Sequence, residues 1–435
     1  MKVQLLLPAG EIHRHGTGIF KRSLRYAPLT LTTLAALVPD DLDVELTIQD
    51  EGVQPLDLDF EADLVGISCI TGTALRGYAI ADRLRSRGQR VVIGGVHATL
   101  VPDEAAEHAD AVVVGYAENS WPQLLRDFSR GRLEKRYFLP PGRRLAGLPH
   151  ARRELLDKKK YTTINSIEAT RGCPHRCDFC VVPTAWPNHY AHRPVEDVVA
   201  ELATFEGRHA LFVDLSPVED VAYAKQLYRA MKPLGLRWVG LSTTRIAEDD
   251  ELLKLAAESG CKGLLIGFEA IDQATLNATS KPFHSAARYG EAVKKLHDHG
   301  IGVQGCFVFG FDDDDESVFE RTVEFVDRVK IDLPRYAVAT PFPGTSLYRR
   351  LESERRLLHK NWSLYDVEHV VFRPLRMSPE RLQAGLEWSW RQSYGCGSLW
   401  RRIRGAPWSI LPLWISLNLG YRFYAHRLSE KIAAG

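Results

Sequence analysis

Short apolar runs alternate with amphipathic helical segments along most of this 435-residue chain, and this alternation limits its fold more than any other feature. Strands joined through helices pair in parallel, because a parallel crossover needs a connection about as long as a helix. The first strand candidates are Lys2–Leu7, Val44–Ile48, Leu64–Ser68, Arg90–Ile93 and Ala111–Val114. The sequence therefore predicts an α/β fold whose residues 1–145 form a Rossmann-like, flavodoxin-like domain of five strands.

The alternation resumes in the second half of the chain. Its strand candidates are Thr163–Ile167, Ala210–Val213, Arg237–Gly240, Gly263–Ile266, Val303–Val308 and Arg335–Ala339. Six strand–helix units predict a partial (β/α)6 barrel of the TIM type over residues 166–350. Residues 146–165, which lack clear periodicity, are interpreted as a linker, and residues 351–435 as a mostly helical C-terminal region.

Charge and cysteine usage narrow the class of protein. Lys plus Arg total 56 and Asp plus Glu total 55, so the basic excess of a nucleic-acid-binding protein is missing. The apolar run at the N-terminus is too short for a signal peptide, and we expect a cytoplasmic protein whose thiols stay reduced. Seven cysteines at irregular spacing then favour metal binding or catalysis over disulfides.

Three of those cysteines lie within eight residues, in the segment EATRGCPHRCDFCVV. Cys173, Cys177 and Cys180 follow the first barrel strand, at the end of the strand where barrels carry their chemistry. A zinc ion would need a fourth ligand, for which His175, His189 or His192 is available, but a second pair of ligands is missing from the sequence. A 4Fe-4S cluster held by three thiolates keeps one iron open. Cys261, Cys306 and Cys396 are isolated and are predicted to be small core residues.

This C-x3-C-x2-C motif resembles that of the radical S-adenosylmethionine enzymes, with Phe179 as the aromatic residue before the last cysteine. The resemblance implies a 4Fe-4S cluster on the three cysteines. It also implies that S-adenosyl-L-methionine binds the open iron and is cleaved to a 5′-deoxyadenosyl radical that abstracts hydrogen from the substrate.

The resemblance continues along the barrel in LFVDLSPVED, GLLIGFEA, GCFVFGFDDDDES and TPFPGTSLY. It implies that Asp214 and Ser216 lie near the methionine amine and that Glu269 and Gly310 lie near the adenosine. The alternatives are a structural carboxylate for Glu269 and a solvated turn for Asp312–Asp315.

The first half resembles the cobalamin-binding domain that precedes the barrel in one branch of this family. The match includes DLVGISCITGTALRGYAIADRLRSRG and the segment from Val91 to Leu125. Glycines at strand ends let the backbone approach a planar macrocycle, and hydroxyls can hydrogen-bond its lower side. The candidate cobalamin-binding residues are Ser68, Thr71, Gly94, Gly95, His97, Gly115 and Glu118. A nucleotide-binding domain is disfavoured because G-x-G-x-x-G does not follow the first strand. Whether His13 ligates cobalt stays open.

The two cofactors imply modification of an unactivated carbon. Methyl transfer through methylcobalamin is favoured, and the alternative is an oxidative cyclisation or rearrangement of the anaerobic magnesium-protoporphyrin ester cyclase type. A tRNA methylthiotransferase and a non-enzymatic cobalamin-binding module are weaker alternatives. The resemblance also implies an external electron donor of the flavodoxin or ferredoxin type.

The C-terminal region contains an uncharged stretch, Gly405 to Tyr421, with arginines on both sides. Tryptophan and tyrosine beside arginine are typical of a bilayer interface, so peripheral contact with the inner face of the membrane is one interpretation. A helix packed on the protein's own core is the other. An interfacial tail would suit an apolar small-molecule substrate such as a lipid or a tetrapyrrole.

Overall fold

The computed structural model describes residues 1–10, 26–138, 145–187, 190–407 and 410–432. The strands, numbered β1 to β14 in order, are Lys2–Leu7, Glu45–Asp50, Leu64–Ser68, Arg90–Gly94, Ala111–Val113, Arg136–Tyr137, Ser166–Ile167, Thr170–Gly172, Tyr190–His192, His209–Phe212, Arg237–Ser242, Cys261–Glu269, Gly302–Phe309 and Leu333–Val338. The helices, numbered α1 to α16, are Leu29–Ala36, Ala74–Ser86, Val96–Leu100, Pro102–Glu107, Ala117–Ser129, Val182–Ala185, Val195–Ala203, Val221–Met231, Asp250–Glu258, Gln273–Ala278, Tyr289–Asp298, Ser317–Val329, Ser346–Ser353, Pro379–Ser393, Cys396–Ile403 and Leu411–Ile432.

The first sheet is parallel, with the strand order β2-β1-β3-β4-β5-β6. Helices cover both of its faces, so its central strands are predominantly apolar. One face buries Ile67 and Ile93 and the other buries Leu5 and Trp121. The predicted Rossmann-like order is confirmed. The sheet has six strands, whereas five were predicted. The additional strand is β6, which was missed because it is two residues long and comes from a basic segment without apolar periodicity.

The second sheet contains six parallel strands in the order β14-β13-β12-β11-β10-β7 and curves into the predicted partial barrel. Along β12, β13 and β14, residues that face the surrounding helices are buried, whereas alternate residues facing the barrel interior are half-buried. Gln304, Cys306 and Arg335 are among the inward-facing residues. The interior of this barrel is therefore an accessible surface rather than a filled core.

The C-terminal region is helical, as predicted. Helices α14 and α16 pack on the edge strand β14. The indole of Trp414 lies against Gly263 and Gly302, at the starts of β12 and β13, where a Cβ on Gly302 would collide with the ring. Trp390 and Trp414 are thus buried in the protein's own core, while Trp400 is exposed. Within the described residues, no helix is both long and apolar enough to cross a bilayer.

Candidate functional site

The cysteine segment is a loop held between two elements that the sequence did not predict. Strand β8 ends at Gly172, immediately before Cys173, and pairs antiparallel with β9 on the far side of the loop. Inside the loop, the amide of Cys180 donates to the carbonyl of Cys177 at 3.1 Å. The Asp178 backbone ties the loop to Thr279 at 3.3 Å and to Leu347 at 3.0 Å. These contacts fix the loop on the barrel.

All seven cysteines are free thiols, and the three in the loop are half-buried. Burial raises the pKa of Cys177 to about 12 and that of Cys180 to about 11. Among the described residues, no three side chains of His, Cys, Asp or Glu converge on a single metal ion. An iron–sulfur cluster takes each thiolate on a different iron, and three half-buried thiolates on one loop are a donor set that fits such a cluster.

The described histidines that could complete a zinc site have other partners. His175 stacks on Phe283, with 3.5 Å between ring centroids, and its Nε2 atom lies 3.1 Å from Glu219. His192 stacks on Tyr223 and lies 3.4 Å from Asp220. His189 lies outside the described residues. These contacts add to the case against zinc.

Asp214, predicted to lie near the methionine amine, is completely buried behind the loop. Its carboxylate accepts hydrogen bonds from the amides of Ala169 and Thr170 and from the Thr170 hydroxyl, the last at 2.8 Å. Burial raises the pKa of Asp214 to about 7. With three donors from the protein, this carboxylate holds the segment that leads into β8.

Ser216 lies closer to the cysteines. Its hydroxyl donates to Glu219 at 2.9 Å. Burial raises the pKa of the Cys173 thiol, and a hydrogen bond with Ser216 opposes that shift. Ser216 and Glu219 therefore form the wall behind Cys173.

Glu269 ends β12 at a bulge and has a left-handed backbone with φ = 63°. Its carboxylate pairs with Lys281 at 2.7 Å, and Lys281 also donates to the Gly267 carbonyl at 2.7 Å. A Cβ on Gly267 would displace the Glu269 carboxylate from its present position. Backbone strain of this kind costs about 1–3 kcal/mol and is concentrated at functional sites. Lys281 also acts electrostatically on all three loop thiols.

The other two residues predicted for S-adenosylmethionine are explained by packing. Phe179 packs on Phe311, with 5.8 Å between ring centroids. Gly310 has φ = 97°, and a Cβ there would come within 2.7 Å of Leu382 and 3.0 Å of Phe372. Asp314 accepts from the amides of Gly310 and Phe311, so the acidic run after β13 is a capped turn.

A cavity of about 680 Å³ lies where the strand ends of the first sheet face the barrel. Its size is within the range of small-molecule and cofactor sites. Five candidates for cobalamin binding line it, namely Ser68, Gly94, Gly95, Gly115 and Glu118. Neither the three cysteines nor the five residues predicted for S-adenosylmethionine are in its described lining, although Arg171, two residues before Cys173, is.

The remaining two cobalamin candidates lie behind that wall. The ring of His97 is buried, with Nδ1 at 3.3 Å from the Thr71 hydroxyl and Nε2 at 3.4 Å from Glu104. Glu104 in turn accepts from the indole of Trp362 at 2.9 Å. His97 and Thr71 thus join the first domain to the C-terminal region. His13 falls outside the described residues.

Two adjacent glycines in the cavity wall, Gly94 and Gly95, differ in whether the fold itself requires a glycine at that position. Gly95 has φ = 95°, and a Cβ would lie 2.6 Å from the Cys69 carbonyl, so the fold itself demands glycine. A Cβ on Gly94 would meet nothing closer than Val113, at 3.6 Å. Gly94 therefore leaves space beside the cavity that the protein does not fill, which is what a closely apposed macrocycle needs.

A buried ion-pair network joins the two domains at the cavity. Arg171 pairs with Glu168 at 2.7 Å and with Glu118 from the first domain. Its guanidinium lies over the ring of Tyr116, 4.8 Å from the centroid, and Tyr116 stacks on Trp186 at 5.0 Å. Sequence reasoning missed Arg171 and Lys281. The position of Arg171 beside the cysteine motif was a usable signal, whereas Lys281 is brought in by a loop without any motif.

The comparisons with known proteins agree with this arrangement. A family model described as the radical SAM superfamily matches residues 167–326, and one described as the B12 binding domain matches residues 18–125. The bacteriochlorophyllide d C-12(1)-methyltransferase of Chlorobaculum tepidum is 32% identical over 398 residues, which cover 87% of this chain and 85% of that protein. The anaerobic magnesium-protoporphyrin IX monomethyl ester cyclase of Rubrivivax gelatinosus is 25% identical over 364 residues, covering 74% and 63%.

A solved structure shares the whole fold. The radical S-adenosylmethionine methyltransferase TsrM from Kitasatospora setae, determined with cobalamin and a [4Fe-4S] cluster, covers 100% of this chain and 99% of its own, with a TM-score of 0.66 and 18% identity. The domain order, the three-cysteine loop and the glycine-lined cavity together fit a 4Fe-4S cluster, S-adenosyl-L-methionine and cobalamin. This chain therefore belongs to the radical SAM superfamily, in the branch whose members carry an N-terminal B12-binding domain.

Proposed function

We propose that this chain is a C-methyltransferase that acts on an unactivated carbon of a small-molecule substrate. The observation that carries the proposal is the cavity, which has the glycine-lined strand ends of the B12-binding domain on one side and the barrel on the other. When bound, cobalamin would carry the methyl group, and the cluster with S-adenosylmethionine would supply the hydrogen-abstracting radical. The methyltransferase named above is 32% identical to this chain and the cyclase is 25% identical, which supports methyl transfer over cyclisation.

In this proposal, the protein's own residues position the cofactors and exclude water. Cys173, Cys177 and Cys180 hold the cluster, with Ser216 and Lys281 beside the thiols. Ser68, Gly94, Gly95 and Gly115 form the surface for the macrocycle. Glu118 is paired with Arg171, so its role is to connect the cobalamin loop to the cysteine loop.

Product counting tests this proposal. The reconstituted enzyme is incubated with S-adenosylmethionine, a reductant and a candidate substrate, and the products are quantified. Methyl transfer predicts S-adenosylhomocysteine and 5′-deoxyadenosine in comparable amounts. Formation of 5′-deoxyadenosine without S-adenosylhomocysteine would refute methyl transfer and favour the cyclase-type reaction.

We also infer an external electron donor of the flavodoxin or ferredoxin type. Outside the loop the chain has Cys69, Cys261, Cys306 and Cys396, which are dispersed in sequence and do not form a second cluster motif. The prediction that the three later cysteines are core residues holds for Cys261 only, since Cys306 faces the barrel interior and Cys396 is exposed. Reduced flavodoxin with its reductase should support cleavage of S-adenosylmethionine at a rate comparable to a chemical reductant.

Peripheral membrane contact is the second part of the proposal. Trp400, Leu413, Ile415 and Leu419 are exposed apolar residues on or near α16, and Arg404 stacks on Trp400 at 5.3 Å. Removing residues 400–435 would also remove Trp414 from the barrel, so a sharper test replaces Leu413 and Leu419 with Glu. The double variant should lose co-sedimentation with anionic vesicles. Replacement of the buried Trp414 serves as a comparison, and equal sedimentation of the double variant and the original chain would refute membrane contact.

A further inference from the structure

Two buried side chains of opposite charge flank the cysteine loop. Lys281 belongs to the segment that follows α10, and Glu219 belongs to the segment that follows β10. Their side chains are 8% and 4% exposed, respectively. Water and salt screen buried charges much less than surface charges, so each of these groups acts strongly on its surroundings. Both are therefore placed to influence whatever the loop thiols hold.

The segment that carries the lysine lies against the cysteine loop on both sides of Cys177. After this cysteine, the amide of Asp178 donates to the carbonyl of Thr279 at 3.3 Å. Before it, the ring of His175 stacks on Phe283, with 3.5 Å between the ring centroids. The lysine is midway in sequence between these two contacts, so the segment holds it beside the part of the loop that contains Cys177.

The ammonium group of Lys281 is fixed in position. It donates to the carbonyl of Gly267 and to the carboxylate of Glu269, both at 2.7 Å. It also lies 5.8 Å from the centre of the Phe283 ring. Because Glu269 is its ion-pair partner, removing either member of the pair would leave the charge of the other uncompensated in a mostly buried site.

Glu219 contacts the loop through a different edge of the same histidine ring. Its carboxylate lies 3.1 Å from Nε2 of His175, which stands between two of the motif cysteines in the chain. The carboxylate also accepts a hydrogen bond from Ser216 at 2.9 Å and pairs with Arg245. Three contacts thus hold this negative charge at the start of the cysteine loop.

The loop thiols respond to both charges. Burial raises the pKa of all three thiols, and Lys281 opposes that rise in each of them. Glu219 adds to the rise at Cys173, and Glu269 adds to it at the other two thiols. A cation that favours the thiolate over the thiol also favours the more negative state of a cluster bound there.

We propose that Lys281 and Glu219 set the reduction potential of the 4Fe-4S cluster, the lysine raising it and the glutamate lowering it. In reduction, one electron passes from the external donor to the oxidised cluster, and the donor is oxidised. The reduced cluster has one more negative charge, so a nearby cation stabilises it and a nearby anion destabilises it. The inference goes beyond the proposed function, because the cluster is reduced before either methyl transfer or cyclisation.

A redox titration of the reconstituted holoenzyme tests this inference. S-adenosylmethionine is omitted, so that its charges do not contribute, and the reduced cluster is quantified by electron paramagnetic resonance at a series of applied potentials. Lys281→Met should shift the midpoint potential to a more negative value, whereas Lys281→Arg should stay near the original. Glu219→Gln should shift it to a less negative value. At a fixed potential, we expect the ratio of reduced to oxidised cluster to change by roughly tenfold, as for a partly screened buried charge.

Two further variants complete the design. Glu269→Gln leaves the Lys281 ammonium without its counter-ion and should shift the midpoint to a less negative value, which tests the lysine even where Lys281→Met does not hold a cluster. The matched control is Lys294→Met, at an exposed pair with Asp298, which should leave the potential unchanged. Iron and sulfide per chain are measured for every variant, and potentials are compared among those that hold a full cluster.

The signs of the shifts separate an electrostatic role from a structural one. A loop that is merely loosened would shift every variant in one direction, whatever charge was removed. Shifts of the same sign in Lys281→Met and Glu219→Gln would therefore overturn the inference, as would an unchanged potential in Glu269→Gln. Shifts that follow the charges, together with absence of S-adenosylhomocysteine in the product assay, would instead refute methyl transfer alone.

Discussion

The two halves of this molecule line the cavity between them with different chemical groups. The first domain contributes glycine backbone at strand ends, and its nearby polar side chains are occupied with one another, as in the set of His97, Thr71 and Glu104. The barrel half contributes charged side chains, including Arg171 and Arg335.

This difference follows from how each sheet is covered. Helices bury both faces of the first sheet, so ligands can reach it only at the strand ends, where backbone groups and glycines predominate. The barrel leaves one face of each strand towards its interior, so alternate side chains along a strand are available to a ligand. One half is therefore suited to bind a cofactor by shape, and the other to hold reacting groups by charge and by coordination.

The sharpest test of the barrel half is Cys177→Ala. Removing one of three thiolates should abolish cluster binding and all cleavage of S-adenosylmethionine, because a second iron of the cluster would then lack a protein thiolate. Iron and sulfide per chain, with 5′-deoxyadenosine formation, measure the effect. Cys396→Ala, at an exposed cysteine, should retain both. Full iron content in Cys177→Ala would mean that the barrel does not hold the cluster through these thiols.

The junction between the halves is tested by Arg171→Met. This change leaves Glu168 and Glu118 unpaired in a mostly buried site, which costs about 3–5 kcal/mol. Thermal denaturation should show a much lower midpoint. The matched control is Arg126→Met at the exposed pair with Asp41, where we expect a much smaller shift of the midpoint because water screens the two charges. Similar shifts in both variants would show that the two halves are not joined energetically at this network.

The first half is tested by two neighbouring alanine substitutions. Gly95→Ala forces a Cβ into backbone contact at positive φ and should destabilise the protein by about 2–3 kcal/mol. Gly94→Ala meets only ordinary contacts, so its denaturation midpoint should be almost unchanged while cobalamin affinity falls about tenfold. Spectrophotometric cobalamin titration and thermal denaturation measure the pair. Unchanged cobalamin affinity in Gly94→Ala would contradict the claim that the macrocycle lies against Gly94.

The pH dependence of stability tests whether Glu368 is buried as a neutral acid. Its pKa in the folded protein, about 8, is above the usual value of 4.5, so the folded state binds the proton more tightly than the unfolded state. Between about pH 4.5 and 8 the free energy of unfolding should therefore fall as pH rises, by about 1 kcal/mol per pH unit from this group. Glu368→Gln should show a flatter profile in denaturant titrations at several pH values. Identical profiles would indicate an ionised carboxylate.

The sequence was a good guide where local pattern decides the structure. Short apolar runs predicted most of the parallel strands of both sheets within a few residues, and the spacing of Cys173, Cys177 and Cys180 identified the family. It was a poor guide where tertiary contacts decide. Strand β6 and the β8–β9 pair are too short to produce periodicity, and the choice between His97 pointing into the cavity or away from it depends on Glu104 and Trp362.

The site residues predicted from later motifs remain predictions. The structure gives Asp214 and Gly310 structural partners, and it brings in Arg171, Lys281, Arg335 and Glu368 from places without motifs. The importance of such charged residues can be recognised only from the structure, which shows whether each one has an ion-pair or hydrogen-bond partner. Single residues such as Arg335 look like any other strand arginine in a sequence.

The position of α16 has a consequence for how the enzyme is made in the cell. Tyr421 and Tyr424 line the cavity, and Trp414 fills the space above two barrel glycines, so this helix completes the chamber. The ribosome synthesises the chain starting at its N-terminus, so every other part of the cavity wall is made before Leu411–Ile432. A nascent chain halted before that helix would therefore present a chamber with one side open, through which bulky cofactors could enter before the wall is complete.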